Sequence, residues 1–236
     1  MTGLIKEMIN NVRDILKNIS KYIDQTMLRY ESSLREYINF VKESERYNFR
    51  ALVVPPSIIK DVAAISKLPV VGVAGFPCGY SPTEAKIKEI DTIAEGGGRE
   101  VDAVINLIYL KEGLYDKVRD EIEYLVSYAH NLGLKIKIIV ETSILTIDEV
   151  IKIAEIVAAQ GADFIKTNTG FGARGVCFED IVLIKSIVRN RVRIKAAGGI
   201  RTALDAAYLI LHGADVIGTS KGVKIVEEAE KLLNLR

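Results

Sequence analysis

The sequence predicts a (β/α)8 TIM barrel preceded by an extra helix. Three observations carry this. Short β-branched runs recur along the chain, each is followed by a longer stretch with helical periodicity, and eight such units fit into 236 residues. The runs are nearly continuous in apolar residues, which marks strands buried on both faces, as in a parallel sheet. The chain is read as a single barrel domain, 1–236, with residues 1–20 as the added helix. The competing fold is an open doubly wound sheet. It usually has fewer strands and carries a glycine-rich loop after its first strand, and "IDQTMLR" offers none.

The elements follow in order. Ile5, Ile9, Val12, Ile15, Leu16 and Ile19 recur at helical spacing, so residues 1–20 form a surface helix covering another element. A short strand at 22–26 precedes a helical segment at 33–46. Strand runs follow at 51–54, 70–76, 101–106, 135–142, 163–167, 192–199 and 214–220, each with its helix. Ser81, Thr146 and Thr202 stand at N-cap positions, with Glu84, Glu149 and Asp205 three residues later. Gly133, Gly161 and Gly213 sit where helices should stop. "GGG" at 96–98 reads as a βα turn of the barrel, not a linker.

Composition narrows the function. The net charge is +1 and no basic block or aromatic-rich basic strip is present, so a nucleic-acid partner is not expected. Cys78 and Cys177 are far apart and have no metal-type spacing, which favours a reducing cytoplasm over a disulfide framework. Lys6, Glu7, Arg13, Asp14 and Lys17 interrupt the first 20 residues, which rules out a signal-peptide core. No run approaches the ~20 apolar residues that span a bilayer, so no membrane partner is expected.

Ionisable residues lie inside the apolar strand runs: Asp102 in "VDAVIN", Lys137 in "KIKIIVE", Lys166 in "DFIKT" and Lys195 in "VRIKAAGG". Active sites of this fold lie at the C-terminal strand ends. Two buried lysines near each other lower each other's affinity for protons, and desolvation adds to this. A neutral amine attacks carbonyls and forms a Schiff base. Lys166 and Lys195 thus read as one reactive lysine and one tuning cation, with Asp102 moving protons. The plainer alternative is a solvated or snorkelling lysine at a strand end. Lys137 comes closest to it, because Lys135 lies two residues earlier; the other expectation for Lys137 is a contact with the substrate. Asp102 can equally be a carboxylate bound to backbone amides. "NTG" (Asn168, Thr169, Gly170), "AGGIRT" (with Gly198 and Gly199) and "IGTS" (with Gly218, Thr219 and Ser220) follow three consecutive strands. They are either tight turns or a phosphate site built from backbone amides, with Thr219 and Ser220 adding hydroxyls. Tyr115, Tyr124 and Tyr128 share one helix and read as packing or surface residues. His130 and His212 fall near helix C-termini, outside any strand-end cluster.

The motifs "DFIKTNTGF", "IKAAGGIRT", "EVDAVIN", "GFPCGYSPTEAKIKE" and "IIVETSILT" resemble those of the deoxyribose-phosphate aldolases, class I aldolases on a (β/α)8 barrel. The similarity runs from about "IDQTMLR" to "GTS". It implies that Lys166 forms the imine, Lys195 depresses its pKa and Asp102 relays protons. It places Asp24 and Thr26 near the substrate, and Gly170, Gly198, Gly199, Gly218, Thr219 and Ser220 around its phosphate. The implied reaction is reversible cleavage of 2-deoxy-D-ribose 5-phosphate to D-glyceraldehyde 3-phosphate and acetaldehyde. The lysine is the electron sink, so neither a cofactor nor a metal is implied. A homo-oligomer, dimer or tetramer, is expected. Asn168 departs from a family position that is often serine, which bears on substrate fit. The valines of "ALVVPP" replace a cysteine found in some members, so inactivation by aldehyde through that thiol should be absent. Two other readings stand beside this one: a Schiff-base aldolase for another phosphorylated sugar, and a non-catalytic sugar-phosphate sensor.

Overall fold

The computed structural model describes residues 3–234. Residues 1–2 and 235–236, the outer ends of the expected first helix and of the expected domain, lie outside the described residues, as does the side chain of Ile5. The strands are β1 (Ile23–Thr26), β2 (Ala51–Val53), β3 (Val70–Ala74), β4 (Glu100–Val104), β5 (Lys135–Ile139), β6 (Phe164–Lys166), β7 (Arg193–Ala197) and β8 (Val216–Thr219). They pair in parallel and in sequence order, and β1 closes on β8, so the expected eight-stranded barrel is what forms. Around it run α1 (Gly3–Lys17), α2 (Leu34–Tyr47), α3 (Ile59–Ile65), α4 (Thr83–Glu95), α5 (Leu107–Lys111), α6 (Tyr115–Asn131), α7 (Ile147–Ala159), α8 (Phe178–Val188), α9 (Ala203–Leu211) and α10 (Gly222–Asn234). The strands are a little shorter than the apolar runs that announced them. The run at 70–76, for example, ends as a strand at Ala74, because Gly75 turns the chain with φ +62°.

Alternation along the strands separates two interiors. One face of each strand points outward. Leu52, Val101, Ala103, Ile136, Ile138, Ile165, Ile194 and Ile217 lie there, packed beneath the helices in one large apolar layer. The other face points into the lumen. There β2 and β3 contribute a small apolar cluster of Ala51, Val53, Val71 and Val73, with Leu28 and Phe76 against it. The rest of the lumen mixes charge with apolar side chains: Val104, Ile139, Phe164 and Val216 share it with the ionic groups. Asp24, Glu100, Asp102, Lys137, Lys166 and Lys195 are all buried.

The helix signals hold with two corrections. Thr146 forms a complete capping box with Glu149, and the Thr202 side chain accepts from Asp205 N. Gly133, Gly161 and Gly213 take positive φ just past their helices. Ser81 does not cap α4. Pro82 occupies the capping position, and its carbonyl accepts from Ala85 N and Lys86 N. The glycines at 96–98 join α4 to β4, so they form an αβ turn at the barrel end opposite the candidate site. Close packing accounts for them. A Cβ on Gly96 would fall 2.4 Å from Ile59 Cγ2, and one on Gly98 2.6 Å from Ile93 Cγ2. Helix α1 packs on α9 and α10, with Leu16 buried and Val12 and Ile15 against the core, while Ile9 remains exposed.

Candidate active site

The chemistry begins with strand register. Lys166 of β6 stands beside Lys195 of β7, and Asp102 of β4 beside Lys137 of β5, as paired positions across the ladders. All four side chains point into the lumen, where Asp102 collects the three amines. It accepts from Lys166 Nζ at 2.9 Å, Lys195 Nζ at 2.7 Å and Lys137 Nζ at 2.8 Å. Lys195 also donates to Asp24 at 2.7 Å. Lys137 is ion-paired with Glu100 at 2.6 Å. Below them Arg50 donates to both Asp24 and Glu100.

Six of these groups form a closed ring of alternating charge: Arg50, Asp24, Lys195, Asp102, Lys137, Glu100 and back to Arg50. Lys166 is attached to the ring only through Asp102. Electrostatics follow from that geometry. For Asp102, desolvation favours the neutral acid, but Lys137, Lys166 and Lys195 overcome it and hold its pKa well below the usual carboxylate range. Asp24 is lowered in the same way by Lys195, Lys137 and Arg50. Burial pulls the Lys137 pKa down, yet Asp102, Asp24 and Glu100 together raise it above the ordinary lysine value. Lys166 goes the other way. Burial is the largest influence and outweighs Asp102, while Lys195 and Lys137 add repulsion, so its pKa is lowered to about 8.

Above the ring lies a cavity of about 850 Å3, open at the C-terminal end of the barrel. Of the ionic cluster, Lys166 is the member that lines it. Thr26, Thr169, Gly170, Gly198, Gly199, Gly218, Thr219 and Ser220 also line it, so most of the residues expected at the substrate surround one space. Asp24, Asp102, Lys137 and Lys195 lie beneath it. Lys137 is therefore not the solvated strand-end lysine its neighbour suggested: Lys135 is exposed at the strand start, while Lys137, one step deeper on the same face, is fully buried. Asn168 does not line the cavity. It is fully buried behind the β6 loop, where its Oδ1 accepts from Thr142 Oγ1 at 2.8 Å and Ser143 N at 3.2 Å. The side chain thus braces the loop after β5 and does not reach the cavity. Thr26 Oγ1 is directed at its own strand, donating to the Asp24 carbonyl. The Thr219 hydroxyl is likewise occupied, since it donates to the Ile200 carbonyl at 2.8 Å and accepts from Lys221 N.

The loops are built for close backbone approach. Gly170, Gly198 and Gly199 take positive φ, and a Cβ on Gly175 would fall 2.4 Å from the Gly198 carbonyl oxygen. Several contributors were not evident from the sequence. Glu141, in the left-handed region at φ +56°, accepts from both Thr169 N and Thr169 Oγ1 and so fixes the β6 loop. The Phe76 ring stands 5.8 Å from Lys166 Nζ and meets Phe171 edge-on. Arg201 and Lys221 bring positive charge to the cavity. Glu100 and Arg50 complete the ring. Glu100 had one visible signal, a carboxylate two residues before Asp102 and hence on the same strand face.

Comparison with known proteins points to one family. The sequence model of the DeoC/LacD family aldolases matches residues 18–231. The chain is 43% identical over 217 residues to a deoxyribose-phosphate aldolase of Thermococcus gammatolerans, covering 90% of this chain and 96% of that one. It is 41% identical over 212 residues to one of Desulfitobacterium hafniense, covering 89% and 97%. Among solved structures it is similar to an aldolase called QR15, with 40% identity, a TM-score of 0.87 and coverage of 91% and 96%. A tetrameric deoxyribose phosphate aldolase of Aeropyrum pernix also matches, with 28% identity, a TM-score of 0.87 and coverage of 96% and 98%. The chain belongs to the DeoC/LacD aldolase family.

Proposed function

We propose that the protein is a class I aldolase that reversibly cleaves 2-deoxy-D-ribose 5-phosphate to D-glyceraldehyde 3-phosphate and acetaldehyde. One observation carries the reading. A single amine of the buried ionic cluster, Lys166, reaches the cavity, and its pKa is pulled to about 8 while Lys137 beneath it stays firmly cationic. At neutral pH roughly a tenth of such an amine is free base, against less than a thousandth for an ordinary lysine.

In this reading the Lys166 amine attacks the aldehyde carbon of the open-chain sugar. Asp102, hydrogen-bonded to both Lys166 and Lys195, relays the proton released from the attacking nitrogen to the developing alkoxide, and a second proton from solvent water in the open cavity lets the carbinolamine hydroxyl leave as water. The iminium then accepts the electrons of the breaking C2–C3 bond as the C3 hydroxyl passes its proton to solvent water in the cavity. Glyceraldehyde 3-phosphate departs, leaving an enamine. Protonation of the enamine carbon and addition of water free acetaldehyde and Lys166. The glycine amides at 170, 198, 199 and 218, with the Ser220 hydroxyl and the Arg201 and Lys221 cations, supply the donors and charge that suit a phosphate. The Thr219 hydroxyl and Asn168 are not assigned to it.

We further read the chain as one barrel domain that assembles with copies of itself, in line with the tetramer of the Aeropyrum pernix relative. We place it in the cytoplasm. Both cysteines are free, and among the described residues no helix is long and apolar enough to cross a membrane.

The test is borohydride trapping with deoxyribose 5-phosphate, followed by peptide mass spectrometry. A reduced adduct on Lys166 is expected, with a mass that identifies the bound aldehyde. Calorimetric binding of the sugar phosphate without any adduct would instead support the sensor reading.

A further inference from the structure

The ring below Lys166 has a property that its individual contacts do not show. Asp24, Glu100 and Asp102 bring three negative charges, and Arg50, Lys137 and Lys195 bring three positive ones. The ring is neutral without Lys166. A proton on Lys166 is therefore an unbalanced charge in a buried space; among the described residues its one carboxylate partner is Asp102, already shared between two other lysines. Two routes run from Lys166 through Asp102 to the far end of the lumen, one by Lys195 and Asp24, the other by Lys137 and Glu100, and both end at Arg50.

We propose that Arg50 and Glu100, which never meet the cavity, are positioning residues that set the charge state of Lys166 from the opposite end of the barrel by closing this neutral ring. The proposal rests on the reading of Lys166 as the reactive amine. The geometry suits transmission. Asp24, Asp102, Lys137 and Lys195 are fully buried, and the Arg50 side chain is only 20% exposed, so little water screens the path. The groups that face Lys166 are Asp102 from β4, Lys137 from β5 and Lys195 from β7, with the Phe76 ring from the β3 loop. Arg29, Glu36, Glu43, Arg201 and Lys221 stand around the open cavity, where solvent screens them.

The two outer residues should act in opposite directions. Glu100→Gln leaves the ring with one excess positive charge, which disfavours the Lys166 ammonium. Arg50→Gln leaves an excess negative charge, which favours it. A unit charge roughly 10 Å away at an effective dielectric near 20 moves a pKa by about one unit.

The experiment titrates Lys166 itself, by competitive acetic anhydride labelling against pH with peptide mass spectrometry on the full chain. The midpoint should fall by about one pH unit in Glu100→Gln and rise by about one in Arg50→Gln. In the double variant it should return to the parent value, because the ring is neutral again. Shifts in the same direction, no shift, or a double variant further displaced than either single would overturn the proposal. Those are the results of a merely structural role. If Arg50→Gln does not fold, Glu100→Gln against Glu100→Asp decides alone, since the aspartate keeps the charge and should keep the midpoint. Labelling needs no turnover, so failure here with a borohydride adduct on Lys166 sinks only the tuning role. Absence of that adduct sinks the Schiff-base reading whatever the titration shows.

Discussion

The lumen of the barrel has two sides with opposite chemistry. On β2 and β3 it is lined by Ala51, Val53, Val71 and Val73 alone; on β1 and β4 to β7 Asp24, Glu100, Asp102, Lys137, Lys166 and Lys195 are set among Val104, Ile139 and Phe164. The apolar side is ordinary core, stabilised by burial. The charged side needs every partner in place, because each group carries a desolvation cost that only its neighbours offset. The contrast teaches where function was placed: one side of the lumen holds the fold, and the other holds an amine in an uncomfortable state.

The sharpest break of that contrast is Lys166→Ala. It should reduce turnover by at least about 10^4-fold, since no other amine of the cluster lines the cavity. Thermal unfolding should occur at the same temperature or higher, because a poorly solvated amine has been removed. Asp102→Asn should follow, with a loss of about 10^2- to 10^3-fold in kcat. It should also cost about 3–5 kcal/mol in urea denaturation, since three buried amines lose their common partner. Lys195→Leu should reduce the rate at neutral pH by about tenfold, for a rise of about one pKa unit in Lys166. The sign follows from charge. Lys195 repels the Lys166 ammonium and helps to lower its pKa, so removing it lets Lys166 hold its proton to higher pH, and the ascending limb of the pH–rate profile moves to higher pH. A limb left in place would argue against the role. The smallest effect on activity belongs to the apolar side. Val71→Ala should cost about 1–3 kcal/mol of stability through the cavity it leaves, with kcat within about twofold of the parent.

The same contrast shows how far the sequence could be read. The barrel was legible because its outward strand faces are mostly Ile, Val, Leu and Ala, and parallel strands buried on both faces leave that trace. Asp102, Lys166 and Lys195 were legible for the opposite reason, as charges within runs too apolar to host them. Arg50 and Glu100 were not. They stand at or just before strand starts, where charges are commonly solvated, as Lys135 and Arg193 are in this chain. Only the closed barrel, which brings β1, β2, β4, β5 and β7 around one axis, shows that these two close a ring. Asn168 misled for a related reason. It follows Lys166 closely, but the turn after Thr167 places it behind the loop, where it braces Thr142 and Ser143.

The cavity wall carries a lesson for anyone wishing to broaden what the protein accepts. On one side the wall is bare main chain. Behind it Gly175 packs so close to the lining Gly198 that even a methyl group there would collide with the Gly198 carbonyl, and Gly170, Gly198 and Gly199 themselves take positive φ. On the other side, Asn39 and Glu43 of α2 present exposed side chains to the same space. The first wall is fixed by atoms that must be missing, whereas the second can be rewritten. A mutant library aimed at new aldehydes should therefore be confined to α2 and should leave the glycine loops untouched. Adaptability in this barrel is a property of one rim, and the main-chain side allows almost none.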